Sequence, residues 1–225
     1  MAWLWQVMRP LVMPLVRVGL RIRVEGRLNV PRKGAAILAS NHLSALDHVV
    51  LPAVTRRTII NISKMEHFEK PVKAWFFRQW GVIPVQRGRG DKGAMDAARD
   101  ALRSGHLFCI YPEGTRSLDG RLHKGHTGVA RLALECRVPV IPVAMKGTFE
   151  AWPKGGRLRL FRRTAAVVGE PMDFSRHWGR QDDKQACREV TDEVMRALAA
   201  LSGQEYLDEY QYNPEVATHA KTRKG

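Results

Sequence analysis

Cysteine is scarce: three in 225 residues, at 109, 136 and 187, with no CxxC spacing. Each falls inside an apolar strand or helix pattern, so the thiols read as buried groups of a reducing compartment, and no zinc site or disulfide framework is expected. Acidic residues are also few, 22 Asp+Glu against 37 Lys+Arg, for a formal charge of +15. That surplus favours an anionic partner, whether nucleic acid, an acidic lipid surface or a phosphorylated substrate, without choosing among them. Internal repeats and low-complexity linkers are missing, as are a basic leader and small-residue cleavage site, so no cleaved signal peptide is expected.

An uninterrupted long apolar run is lacking as well. Residues 1–20, MAWLWQVMRPLVMPLVRVGL, would reach about 30 Å as a helix, enough to cross a bilayer's hydrocarbon. Arg9 and Arg17 would each cost on the order of 2.5 to 3.5 kcal/mol at its centre, and Pro10 and Pro14 interrupt the run. Projected at about 100° per residue, Gln6, Arg9 and Arg17 share a sector of about 80°, with Trp3, Trp5, Leu4, Val7, Met8 and Leu11 around the remainder. The expectation is an amphipathic helix lying in the membrane interface rather than a span.

What is present is globular: 44% hydrophobic and 26% charged residues, in a chain long enough for one well-buried core. Seven short apolar runs read as strands, at 21–26, 35–40, 58–63, 82–85, 107–111, 138–145 and 164–169. Helical stripes lie between and after them: Ala94, Ala98, Ala101 and Leu102; then Val129, Leu132, Ala133 and Cys136. Ala186, Val190, Val194, Leu198 and Leu201 form the last, with Gly203 as a stop. This alternation predicts a single α/β domain with a mixed, partly parallel central sheet flanked by helices. The expected organisation is a membrane-associating helix over 1–20, the α/β domain over 21–203, and a polar, partly flexible tail over 204–225.

Chemistry-bearing residues gather where strands end. The run AAILAS passes into NHLSALD, VIPV into QRGRG, and LFCIY into PEGTRS. Carboxyl ends of parallel strands line the ligand crevice of α/β sheets, so these clusters are expected to converge. His42 is the candidate general base, with Asp47 fixing its tautomer. An i,i+5 pair is rotated about 140° on a helix, so the two meet only if the backbone turns sharply from strand to helix between them. The alternative is a capped helix start, with Ser44 or Asn41 as cap and Asp47 in the first turn. Arg87 and Arg89 suit a phosphate, which arginine grips with two donors at once, and equally suit a solvated turn. Glu113 and Arg116 flank the Gly114-Thr115 turn, whose amides can bind an anion, or they form a surface ion pair. Lys64 and Lys124 are further cations.

Together the pieces resemble the glycerolipid acyltransferases, in particular those acting on 1-acylglycerol-3-phosphate. Four blocks appear in order: NHLSALD at 41–47, GVIPVQR at 81–87, YPEGTRS at 111–117 and VPVIPV at 138–143. Two departures are mild, Tyr111 for the usual phenylalanine and Gln86 where an acid is frequent.

By that resemblance His42 and Asp47 are a catalytic dyad, Arg87 binds the acceptor phosphate, and Glu113, Gly114, Thr115 and Arg116 shape the acceptor pocket. Val138 to Val143 would line the site or the acyl channel, and Lys64 contacts an oxyanion or phosphate. The implied reaction moves a fatty acyl group to the sn-2 hydroxyl of a lysophospholipid acceptor, making phosphatidic acid. It requires no bound cofactor or metal; acyl-CoA or acyl carrier protein is the donor co-substrate. The implied location is the cytoplasmic face of the cell membrane, peripheral or monotopic on an anionic surface, without nucleic acid. Rival readings are another lysolipid or glycolipid acceptor, a covalent route through Ser44 or Cys109, a basic nucleic-acid-binding module, and a non-catalytic membrane scaffold. The segment WPKGGRLRLFRR, 152–163, would extend the basic membrane footprint, contact an acidic carrier, or form an antiparallel hairpin facing solvent.

Overall fold

The computed structural model describes residues 3–64, 74–75, 81–85 and 92–211. In chain order its elements are α1 (Trp3–Gly19), β1 (Ile22–Glu25), β2 (Ala36–Ser40), α2 (Asp47–Val50), β3 (Ile59–Lys64), β4 (Val82–Val85), α3 (Lys92–Arg103), β5 (Leu107–Ile110) and β6 (Leu122–His123). They continue with α4 (Gly128–Cys136), β7 (Val140–Lys146), α5 (Thr148–Ala151), β8 (Thr164–Val168), α6 (Lys184–Ser202) and β9 (Tyr206–Leu207).

Seven strands make one sheet in the order β1-β8-β7-β2-β5-β3-β4, and all seven were expected from the apolar runs. Neighbours are parallel throughout except β7 and β8, which are antiparallel. The sheet is therefore mixed and mostly parallel, with helices on its faces.

β2 shows why. Every residue of it is buried, because the strand alternates between two covered faces. Ile37 and Ala39 join the core beneath α3, α4 and α6, with Phe108, Leu132, Val190 and Leu198. Ala36 and Leu38 point the other way, to Leu46, Val50, Leu51, Leu107 and Ile141. The three long helices on the first face follow the alanine- and valine-rich stripes of the sequence. α6 begins at Asp183, whose carboxylate accepts the amides of Gln185 and Ala186, and ends at Gly203 in the left-handed region, φ 72°.

On the second face α1 packs through Met13, Val12 and Val16. Its two arginines are turned onto the protein. Arg9 donates to the carbonyls of Pro52 and Thr55, and Arg17 to that of Ala53 at 3.1 Å, filling acceptors of the 3-10 turn Leu51–Val54 and the residue after it. Leu11, Leu15 and Val18 are left bare on the opposite side. Among the described residues, no helix is long and apolar enough to cross a membrane.

The sequence reading is corrected at 152–163, where no hairpin forms. The alternation of Leu158 and Leu160 with arginines mimics a strand, but both sides of β8 are already taken by β1 and β7. The segment instead folds back through single bonds, Arg159 N–H to the Ala151 carbonyl at 2.8 Å and Phe161 N–H to that of Gly19 at 2.8 Å. A two-stranded pair, β6 with β9, was not anticipated; it ties Tyr206 and Leu207 back beside the site.

Candidate active site

β2 and β5 are adjacent and parallel, with Ala39 opposite Ile110, so the residues that follow them leave the sheet side by side. This brings NHLSALD against YPEGTRS. β4 lies three strands from β2, about 14 Å at the usual inter-strand spacing. Arg87 and Arg89, beyond β4, lie outside the described residues. Lys64 ends β3, and its side chain also lies outside what is described.

At the end of β2 the ladder is continued by a side chain. The Asn41 amide donates to the Met145 carbonyl at 3.0 Å and accepts the Met145 N–H at 2.7 Å, as a backbone peptide would. Its Nδ2 also donates to Gln204 Oε1 at 2.6 Å, and Gln204 Nε2 reaches the Gly120 carbonyl at 2.7 Å. Past this anchor the chain turns sharply, and the one-turn helix α2 starts at Asp47.

The turn joins His42 to Asp47. Asp47 Oδ2 lies 2.9 Å from His42 Nδ1 and accepts the amides of Leu43 at 2.7 Å and Ser44 at 2.8 Å. The carboxylate is wholly buried, so its charge is held by these donors, with Oδ1 lacking a partner among the described residues. With the Nδ1 proton given to Asp47, His42 Nε2 carries a lone pair and can take a proton. Of the helix-capping alternative only the place of Asp47 in the first turn is found: the cap is Leu46, without a side-chain bond, and Ser44 Oγ instead accepts the Leu46 amide at 3.1 Å while donating to the Trp152 carbonyl at 2.6 Å.

Glu113 faces inward. Oε1 accepts the His42 N–H at 2.9 Å and Oε2 the His123 N–H at 3.2 Å, so the carboxyl clasps two loops. Burial raises its pKa from the ordinary 4.5 to about 7, against the lowering effect of those two amides. On the other side of His42 the Ser117 amide donates to its carbonyl at 2.7 Å, fixing the peptide at both ends. Gly114 closes the turn by donating its N–H to the Tyr111 carbonyl at 3.0 Å, in the left-handed region at φ 72°. Thr115 and Arg116 are half-buried, and no Glu113-Arg116 ion pair forms. The Arg116 carbonyl accepts from Gln211 at 3.3 Å. Lys124 pairs with Asp208 at 2.9 Å.

Neither rival nucleophile is poised. Ser44 Oγ is buried and donated to a carbonyl, and burial pushes the Cys109 thiol well above its ordinary pKa. Val140, Ile141 and Val143 of the fourth block are buried in the two cores, and β7 holds β2 from the side opposite β5.

Four side chains were given no role in the sequence reading: Tyr111, His48, Gln204 and Asp119. Tyr111 stacks on the His42 ring, centroids 4.0 Å apart at 18°, with His48 edge-on at 5.4 Å from His42. Gln204 braces Asn41 from 163 residues away. Asp119 gathers Ser117, Arg121 and His123; burial opposes its charge, but the donors outweigh that and lower its pKa. Only the strand-end position of Tyr111 offered a local signal.

The fold is an α/β sheet with a polar cluster at its strand ends, and comparison with known families gives the class. The model described as Acyltransferase matches residues 21–146, more than half of the chain, and the chain belongs to that family. More particularly, it is 33% identical over 138 residues to the chloroplastic 1-acyl-sn-glycerol-3-phosphate acyltransferase LPAT1 of Arabidopsis thaliana, covering 60% of this chain and 38% of that protein. It is 28% identical over 160 residues to the 1-acyl-sn-glycerol-3-phosphate acyltransferase of Pseudomonas aeruginosa, covering 70% and 61%. These matches span less than two thirds of either relative. The crystal structure of the 1-acyl-sn-glycerophosphate (LPA) acyltransferase PlsC from Thermotoga maritima is similar at a TM-score of 0.63 and 28% identity, over 80% of this chain and 71% of that one.

Proposed function

We propose that the chain is a 1-acyl-sn-glycerol-3-phosphate acyltransferase, moving a fatty acyl group from acyl-CoA or acyl carrier protein to the sn-2 hydroxyl of lysophosphatidic acid. The observation that most supports this reading is the 2.9 Å contact of His42 Nδ1 with Asp47 Oδ2, in a member of the acyltransferase family. The names of the relatives support the acceptor.

In this scheme His42 Nε2 accepts the proton of the acceptor hydroxyl as that oxygen attacks the thioester carbonyl. Asp47 stabilises the imidazolium. The tetrahedral adduct collapses by breaking its carbon–sulfur bond, and the imidazolium returns the proton to the leaving thiolate, giving phosphatidic acid and a free thiol. Arg87 grips the acceptor phosphate, Lys64 is the oxyanion or phosphate contact, and Gly114, Thr115 and Arg116 border the acceptor. Glu113 serves that border by holding the His42 peptide. Positioning supplies much of the acceleration, since a hydroxyl held about 3 to 3.5 Å from the carbonyl reacts as part of one assembly.

The chain works at the cytoplasmic face of the cell membrane, with residues 1–20 in the interface, 21–203 as the acyltransferase domain and 204–225 as a polar tail. The bare stripe of Leu11, Leu15 and Val18 on α1 supports that docking.

The test is thiol release by purified protein in lipid vesicles, with both donor types and a panel of lysolipids and glycolipids. Release that depends on lysophosphatidic acid and is lost with His42→Ala supports the reading. Release dependent on another acceptor reassigns the substrate. Turnover unaltered by His42→Ala overturns the mechanism, and a thiol burst without acceptor replaces direct transfer by a covalent route.

A further inference from the structure

We propose that the loop 157–163, RLRLFRR, is a second membrane-contact element, inserting Leu158, Leu160 and Phe161 among anionic lipid headgroups beside the end of α1. It rests on the reading of α1 as an interfacial helix only in that the two adjoin. The loop lies beyond residues 21–146, which the family model matches.

Three observations carry the proposal. First, Leu160 is 56% exposed and Phe161 65%, with Leu158 also exposed, so all three apolar residues of the four-residue stretch 158–161 face solvent. Second, they are set among cations. Lys154, Arg157, Arg159, Arg162 and Arg163 occur in a stretch with no acidic residue between Glu150 and Glu170, and none of the five has a carboxylate partner among the described residues. Third, the loop is stitched to α1. The Phe161 N–H donates to the Gly19 carbonyl at 2.8 Å, and Thr164 Oγ1 donates to that of Leu20 at 2.9 Å. The exposed stripe Leu11, Leu15 and Val18 thus runs toward the segment that carries the exposed leucines.

Charge decides the occupant. A second copy of this chain would bring five unpaired cations against five, which repel. A lipid surface of negative charge satisfies both features at once: arginines reach phosphates at headgroup depth while the leucines and Phe161 enter the acyl boundary. A nucleic acid would answer the arginines and leave Leu158 and Leu160 without a partner.

The experiment is sedimentation of the full chain with vesicles of phosphatidylcholine alone and of equimolar phosphatidylcholine and phosphatidylglycerol. The variants are Leu158→Asp/Leu160→Asp and Arg162→Glu/Arg163→Glu, with thermal melts to show that each remains folded. Wild type is expected to bind the anionic vesicles more tightly, and each double variant to lose about tenfold or more in binding, given the usual contribution of a basic residue near an anionic surface. The charge-reversal loss should shrink as salt is raised. Folded variants that bind as wild type does, equal binding to both vesicles, or an oligonucleotide that competes vesicles off would each overturn the proposal. Acyl transfer is measured separately with acceptor in detergent micelles. Wild type inactive there but with loop-dependent vesicle binding would sink the proposed function and leave this inference standing.

Discussion

Tyr111 lies flat against His42, ring centroids 4.0 Å apart and planes 18° from parallel, so the imidazole is held from its face as well as through its Nδ1. The phenol oxygen is 3.4 Å from His48 Nδ1, a weak contact at best. The ring, not the hydroxyl, therefore orients His42. Tyr111→Phe should keep activity within a few-fold, whereas Tyr111→Ala should lower kcat by about tenfold or more with little change in KM, as expected when a reacting group loses its alignment. Steady-state kinetics of both variants check this.

Glu113 makes stability depend on pH. Burial raises its folded pKa from 4.5 to about 7, so between those values the folded chain holds a proton that the unfolded chain has released. That contribution is complete below about 4.5 and is lost as pH rises through about 7. Urea midpoints on either side of this window should show the wild type losing more stability toward high pH than Glu113→Gln.

Asn41 stands in for a peptide, and its removal leaves Met145 N–H and carbonyl buried without partners. Asn41→Ala should cost about 2 to 4 kcal/mol, two orphaned groups at the usual penalty. Gln204→Ala, which spares the Met145 bonds, should cost about 1 kcal/mol. Denaturant titration measures both.

Gly26 and Gly34 separate contact from backbone strain. Both have positive φ, 67° and 80°. A Cβ on Gly26 would sit 2.0 Å from the Val168 carbonyl oxygen, while one on Gly34 meets nothing within 4 Å. Gly34→Ala should cost about 1 to 2 kcal/mol for the left-handed conformation alone. Gly26→Ala should cost distinctly more, about 3 kcal/mol or above, because Val168 must also move from its place at the end of β8 in the sheet. Thermal or denaturant unfolding of the two variants gives the comparison.

The sheet was legible because each of its strands is a short apolar run ended by polar residues, and the helices because alanine and valine recur at helical spacing on one face. The adjacency of His42 and Glu113 followed from strand ends, since β2 and β5 are parallel neighbours. What stayed hidden depends on distance in sequence. No local pattern tells Gln204 to find Asn41, or Glu113 to turn inward onto the His42 amide. Arg9 and Arg17 were legible as one polar sector of α1, but not the carbonyls of Pro52, Thr55 and Ala53 that they meet. The alternating leucines of 157–163 carried a strand signal that no pairing answers: β8, the strand they lead into, already has β1 on one side and β7 on the other.

The central claim is that one imidazole, oriented and charge-stabilised by one carboxylate, moves the proton, and a double-mutant cycle tests it. Because Leu43 and Ser44 amides both donate to Asp47 Oδ2, the side chain of Asp47→Asn must set its carbonyl oxygen there, preserving the His42 contact and removing only the charge. Measured as kcat/KM, His42→Ala should lose about 10³-fold or more and Asp47→Asn about 10²-fold, while the double variant should be no worse than His42→Ala. An Asp47→Asn variant of wild-type rate, or losses that multiply in the double variant, would contradict the account.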